Sequence, residues 1–249
     1  MNKQKKNYIF ASLFTGVYDV NRNEILESDH FDYIKNWYQS IIRLKLHAVI
    51  FHNTFSKATV AQYQNEFINF KWVEFSGGLN ANIFRYEVYK QYLDTNAAHI
   101  ANVFATDITD VVVLNDPFTQ PLFLKNPTAL FCGDEPKILD NEWMYNHCTH
   151  FRNTVPGFTK YELENKEKSL LNCGIIGGSL PVIANMMNNL AFVHATYSNT
   201  NTTAYTLDMG AFNFVARTQF TKTILHGPPI NTLFKQYQTE RTDCWFRHK

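Results

Sequence analysis

Two carboxylates, Asp107 and Asp110, interrupt the apolar stretch "NVFATDITDVVVLNDPF" at residues 102–118. β-Branched runs of this length, closed by an Asn-Asp-Pro turn, read as buried strands of a mixed or parallel sheet. Two aspartates three apart on a tight loop can turn their oxygens toward one divalent cation. Hard ions such as Mg²⁺ or Mn²⁺ take carboxylate oxygen together with substrate phosphate. The same spacing also suits an Asx turn or a helix cap. One helix upstream, in "NANIFRYEVY", Arg85 offers a planar fork to a phosphate or a sugar hydroxyl, or else is an exposed helix arginine. Downstream, "SLLNCGIIGGSL" gathers Gly174, Gly177 and Gly178. These glycines either let backbone approach a ligand closely or form a hairpin.

The elements around these residues set where they can act. Residues 8–14 read as a strand, and the turn-rich "TGVYDVNRN" follows at its carboxyl end. Phe31, Ile34, Trp37, Tyr38, Ile41 and Ile42 recur at helical steps. Then come a strand at "HAVIFHN", a helix at "TVAQYQNEF", a strand at "FKWVEF", a Gly77-Gly78 loop and a helix at "NIFRYEVYKQYL". Alternating strand and helix predicts an α/β fold, a single Rossmann-like domain over 1–249 with a mixed, mostly parallel sheet flanked by helices. Ligands of such sheets bind beyond the strands' carboxyl ends, which is where Asp107 and Asp110 fall. Past Pro117 the reading is a strand at "TALFCG", long connections over 134–160, and a strand-turn-strand at "SLLNCGIIGGSL". Helices at "LPVIANMMNNLAFVHATY" and "TLDMGAFNFVAR", a last strand at "KTILHG" and a basic, aromatic tail complete it.

The acid-bearing stretch resembles the metal-binding segment of GT-A nucleotide-sugar glycosyltransferases, which carry D-x-D or a variant before an apolar run and a D-P turn. This chain departs from that pattern in having D-I-T-D, with one more residue between the acids. "LLNCGIIGGS" is similar to the N-x-G segment beside the donor sugar in retaining, glycogenin-like (family 8-like) enzymes. "LDMGAFNFV" resembles the segment where an acidic residue opens a helix near the transferring sugar, and "ILHGPPINTLF" the C-terminal His-Gly segment whose imidazole is a metal ligand. The resemblance implies Asp107, Asp110 and His226 as ligands of Mn²⁺ or Mg²⁺; an imidazole beside two carboxylates suits Mn²⁺. It implies donor contacts from Thr15, Gly16 and Asp19, from Arg85 and Asp107, and from Asn172, Gly174, Gly177 and Gly227. Asp208 is the carboxylate expected near the sugar, unless it simply opens its helix. Asp134 and Glu135, in "LFCGDEP", lie on a loop surface, contact the acceptor or serve as a base. A sugar would thus pass from a nucleoside-diphosphate sugar to a glycan or other hydroxyl acceptor, with retention expected.

Composition narrows the alternatives. A formal net charge of +1 gives no basis for nucleic-acid binding. The cysteines, Cys132, Cys148, Cys173 and Cys244, form no CxxC pair, so reduced thiols and a cytoplasmic setting are expected. "NHCTHF" offers His147, Cys148 and His150, but no second cluster completes a zinc site. The start, "MNKQKKNYIFASLFTG", imitates a signal peptide, yet its apolar part is short and reads better as the first strand. No run approaches the ~20 apolar residues of a membrane span. Lys3, Lys5 and Lys6 leave peripheral contact with anionic lipid open, beside a solvated tail. Two other functions remain compatible: a metal-dependent nucleotidyltransferase, although "FTGVYDVNRN" matches a phosphate loop poorly, and a non-catalytic carbohydrate-binding protein.

Overall fold

In the first strand, β1 (Lys6–Leu13), Ile9, Phe10 and Ala11 are all buried. Such a strand must be covered on both faces, and the rest of the chain supplies the cover. The computed structural model describes residues 5–75, 78–198, 201 and 208–249. Lys3, Gly77 and residues 206–207 of the "TLDMG" segment therefore lie outside the described residues. After β1 come the hairpin strands β2 (Tyr18–Asp19) and β3 (Glu24–Ile25), α1 (Lys35–Leu44), β4 (Ala48–His52), α2 (Lys57–Tyr63) and β5 (Ile68–Trp72). They are followed by α3 (Ala81–Asn96), β6 (Ile100–Thr106), β7 (Val111–Val113), α4 (Pro121–Lys125) and β8 (Leu130–Ile138). The chain continues with α5 (Glu142–His147), α6 (Thr149–Thr154), α7 (Phe158–Asn165), β9 (Ser169–Ser179), α8 (Leu180–Tyr197), α9 (Asp208–Gln219), β10 (Ile224–His226) and β11 (Phe246–His248).

Seven strands form one sheet in the order β10-β8-β9-β6-β1-β4-β5. All are parallel except β9, which runs against both β6 and β8. The expected α/β class, with a mixed and mostly parallel sheet between helices, is what forms. One face packs Phe10, Tyr86 and Tyr89 with Met186 and Phe212; the other packs Ile9 and Trp37 with Phe104 and Trp245. From β1 the chain runs outward through β4 to β5, then crosses back to place β6 on the other side of β1. The strand order reverses between β1 and β6, and at such a switch point the loops leaving the carboxyl ends diverge and open a crevice. Among the described residues no helix is long and apolar enough to cross a membrane. All four cysteines are free and buried.

Two expectations need correcting. "SLLNCGIIGGSL" is not strand-turn-strand: all but its last residue forms one strand of eleven residues, β9. Its glycines serve packing: a Cβ on Gly177 would lie 2.0 Å from the Phe104 ring. The strand at "TALFCG" does not stop at Gly133 but runs to Ile138, its outer half paired with β9 alone, as in Asp134 opposite Leu171. The expected long connections over 134–160 are therefore the end of this strand and short helices. These bury Met144, Phe151 and Phe158, and α5 is capped by the Asn141 side chain, which accepts the Met144 N–H at 3.0 Å.

Candidate metal centre

Trp37 of α1 donates its indole N–H to the Thr106 hydroxyl (2.8 Å), and Ser40 of the same helix accepts the Val113 N–H (3.1 Å). One helix thus fixes both ends of the acid-bearing loop. Asp107 makes the last rung of the sheet, its N–H donated to the Gly174 carbonyl (2.8 Å), and its side chain leaves the strand end at the crevice. β11 lies antiparallel to β7 with His248 opposite Val111, and the Lys249 N–H reaches the Asp110 carbonyl (3.1 Å). This brings His248 Nε2 to 3.9 Å from Asp107 Oδ2 and 3.8 Å from Asp110 Oδ2. Among the described residues, Asp107, Asp110 and His248 are the one set of three whose ligand atoms converge, all within 4.8 Å of one another.

The electrostatics of the set fit a cation. Burial, and then the neighbouring Asp107 charge, pushes the Asp110 carboxyl up to about 7. Burial also opposes ionisation of Asp107, but Arg85 and then His248 outweigh it and hold that carboxyl below its ordinary value. Burial lowers the His248 imidazole, which favours the neutral form that ligates metal. Two carboxylates and a neutral imidazole with too little positive charge between them form a donor set suited to Mn²⁺. Gly174 makes the approach possible: a Cβ there would lie 2.4 Å from His248 Cε1 and 2.6 Å from Asp107 Oδ2.

Behind the ligands lies a buried polar cluster. Asn80 caps α3 by accepting the Asn82 and Ile83 N–H groups, and one turn later Arg85 points its guanidinium at the Asp107 carboxylate. Its other amino group lies 3.6 Å from Asp208 Oδ2 and 3.1 Å from the Tyr86 hydroxyl. Asp208 opens α9, accepts the Met209 N–H (2.8 Å) and is only 6 % exposed; burial raises its carboxyl. α9 is held to β9 by Asn213, whose amide both accepts from and donates to the Leu171 backbone (3.0 and 2.8 Å). Two cavities, of about 290 and 320 Å³, meet over the ligands and share Asn21, Asp107, Asp110 and Asp208. The first is bounded by Asp19, Arg22 and Arg85, the second by Glu135, Asn172, Trp143 and Phe234.

His226 is not with the ligands. β10 is separated from β6 by β8 and β9, three inter-strand steps or roughly 14 Å. His226 Nδ1 instead lies 2.9 Å from Asp134 Oδ2, and that pair, outside both cavities, removes Asp134 from the catalytic candidates. Gly227, at φ +72°, closes the same contact: a Cβ there would lie 2.8 Å from Asp134 Oδ2. Thr15 lies outside both cavities: its N–H and C=O are taken by the Asn53 amide (3.0 and 2.9 Å), and its hydroxyl meets that of Thr54. Gly16, at φ +70°, donates its N–H to the Leu26 carbonyl. Gly177 faces Phe104 rather than a ligand. Asp19, Arg85, Asn172, Glu135 and Asp208 do line the cavities, and Asn172 bridges Glu135 Oε1 (3.0 Å) and the Gly174 N–H (2.7 Å). The zinc-like residues of "NHCTHF" are occupied singly: His147 by the Trp143 carbonyl, His150 by the Tyr197 carbonyl, and Cys148 by burial that raises its thiol to about 12.

His248 is the candidate metal ligand that sequence reasoning missed. Its signal was indirect: three valines at 111–113 need a partner strand, and "CWFRHK" at the far end is one stretch that supplies apolar residues beside a histidine. In comparisons with known proteins, no family model matches the chain and no curated protein matches it.

Proposed function

We propose that the protein is a metal-dependent glycosyltransferase of the GT-A type, moving a sugar from a nucleoside-diphosphate sugar to a hydroxyl of a glycan or other acceptor with retention of configuration. One observation carries the reading: Asp107, Asp110 and His248 converge at the switch point of the sheet, where two cavities meet. A Mn²⁺ or Mg²⁺ ion held by these three residues would stabilise charge on a departing diphosphate as a Lewis acid. The cavity bounded by Asp19 and Arg22 is assigned to the donor and that bounded by Glu135 and Trp143 to the acceptor. Arg85 fixes Asp107 for ligation and orients Asp208. Asp208 lines both cavities and meets cationic character on the sugar. Glu135 is engaged by Asn172 and, under retention, orients the acceptor rather than acting as a base. The unpaired cysteines fit a cytoplasmic setting.

The test is incubation with Mn²⁺ and a panel of nucleotide sugars, following nucleoside diphosphate released by slow hydrolysis. Release with one donor, abolished by chelator, is expected. Pyrophosphate chemistry would reassign the protein to nucleotidyl transfer, and binding without turnover to carbohydrate recognition.

A further inference from the structure

The cation expected to meet the donor, Arg85, is committed to the protein. It is buried, with its two terminal nitrogens turned to Asp107, Asp208, the Tyr86 hydroxyl and Cys173 Sγ. A second guanidinium reaches the same cavity from elsewhere. Arg22 sits at the tip of the β2–β3 hairpin, whose base is closed by the Gly16 N–H on the Leu26 carbonyl (3.0 Å). Asp19 shapes the tip: its Oδ1 accepts the Asn21 N–H (2.9 Å) and the Arg22 N–H (3.3 Å). The Asn82 amide, at the start of α3, donates to the same oxygen (3.4 Å) and ties the hairpin down. Asn23 completes the turn at φ +58°, a conformation that asparagine tolerates better than most residues.

This turn delivers Arg22 to the ligand loop. Its Nη2 donates to the hydroxyl of Thr109, the residue just before Asp110, at 2.8 Å, while Nε lies 3.5 Å from Asp19 Oδ2. Nη1 has no hydrogen-bond partner among the described residues, and the side chain is 39 % exposed while lining the cavity. Its charge acts on both Asp107 and Asp110. A partly exposed, planar donor fork beside two metal-binding carboxylates is complementary to a polyanion that bridges the fork and the ion. We infer that Arg22 binds the diphosphate of the sugar donor, an inference that rests on the transferase reading. The hairpin is then the element through which the donor's charge is recognised, and Thr109 is the rest that keeps the guanidinium aimed before the donor arrives.

Binding rather than turnover tests this. Mn²⁺ affinity is measured first by electron paramagnetic resonance. Equimolar Mn²⁺–pyrophosphate, a base-free stand-in for the donor, is then titrated calorimetrically into the Mn²⁺-loaded protein, with Mn²⁺ and inorganic phosphate as a parallel arm. Arg22→Gln should weaken pyrophosphate by about tenfold or more, the loss of one charge-assisted fork, and Arg22→Lys by less. Mn²⁺ affinity should not fall, since the substitution removes a positive charge beside Asp107 and Asp110, and the thermal midpoint should stay close to that of the wild type. Equal pyrophosphate affinity in wild type and Arg22→Gln overturns the inference, as does wild-type protein that binds Mn²⁺ but not pyrophosphate. Equally Arg22-dependent binding of inorganic phosphate overturns the diphosphate assignment in favour of a general anion contact. Failure of the wild type to bind Mn²⁺ at all overturns instead the reading on which the inference rests.

Discussion

β6 and β8 carry the same local pattern, an apolar run followed by two acids: Val103 to Thr106 before Asp107 and Asp110, and Leu130 to Gly133 before Asp134 and Glu135. Their acids have different fates. β6 ends where its acids begin, at the switch point, and a third strand pair brings His248 over them. β8 continues through its acids to Ile138, so Asp134 lies within a ladder and is paired with His226 from the adjacent strand. An acidic pair after an apolar strand thus stays free to converge on a candidate ligand site where the strand stops beside a crevice. Where the strand continues, the acid is absorbed into packing.

The largest effects should separate the two aspartates. Asp107→Asn removes a ligand and the partner of Arg85, and Mn²⁺ affinity should fall by more than about 100-fold, beyond what loss of outer-shell support costs. Turnover of nucleotide sugar should fall with it. Asp134→Asn should leave Mn²⁺ affinity unchanged and cost ~1 kcal/mol of stability through its half-buried contact with His226. Paramagnetic resonance and denaturant titration of both variants read this contrast. It is broken if Asp134→Asn loses the metal or Asp107→Asn keeps it.

The histidines give the next contrast. His248→Ala should weaken Mn²⁺ by about 10- to 100-fold, and His226→Ala should not change it. If the two exchange places, the His-Gly segment supplies the ligand after all and the tail strand is only a lid on the core. The result would also measure how far the sequence could be read. The acid loop, the sheet class and the location of the crevice were legible because each depends on local periodicity and on the rule that ligands bind at carboxyl ends. Asp107 and Asp110 were legible for the same reason; Arg85 was legible only as one of two alternatives for a helix arginine, and Asp208 only through the resemblance of its segment. His248 was not, because it reaches the site through a three-residue pairing between strands more than 130 residues apart, too short to show a period. Nor was the continuity of β8 and β9: glycine and acid inside a strand look like its end until the partner ring or imidazole that they accommodate is known.

Glycines on the two sides of the comparison offer a smaller effect. Gly174→Ala places a methyl group against His248 and Asp107 at distances no real contact shows, and should destabilise the protein by ~1–3 kcal/mol while lowering Mn²⁺ affinity. In β8, Gly133→Ala meets its nearest atom, the Asn172 carbonyl, at 3.5 Å, an ordinary contact, and should be near neutral on both counts. Thermal denaturation with and without Mn²⁺ separates the stability and affinity terms. Equal behaviour of the two variants would mean that the tail can withdraw from β9 without cost.

The smallest effect is the most specific to a carboxylate pair kept short of positive charge. In the metal-free protein burial and Asp107 raise the Asp110 carboxyl to about 7, against an ordinary value of 3.8. A group whose folded value is raised favours folding below the unfolded value, and that contribution is lost as pH rises toward the folded one. Between about 4 and 7 the unfolded chain ionises Asp110 while the folded chain resists, so metal-free stability from this group declines across that window. Asp110→Asn cannot ionise and should lack the decline. Because the Asp110 side chain is 38 % exposed, solvent screening reduces the effect, and ~1 kcal/mol in favour of the variant at pH 8 is expected, vanishing near pH 4. Saturating Mn²⁺ should reverse the sign at pH 8, since the ion stabilises the wild-type carboxylate and finds one ligand fewer in the variant. A wild type and Asp110→Asn that run parallel across pH, with and without Mn²⁺, would mean that the two aspartates do not share one charge site, and the distinction drawn between β6 and β8 would reduce to one of exposure.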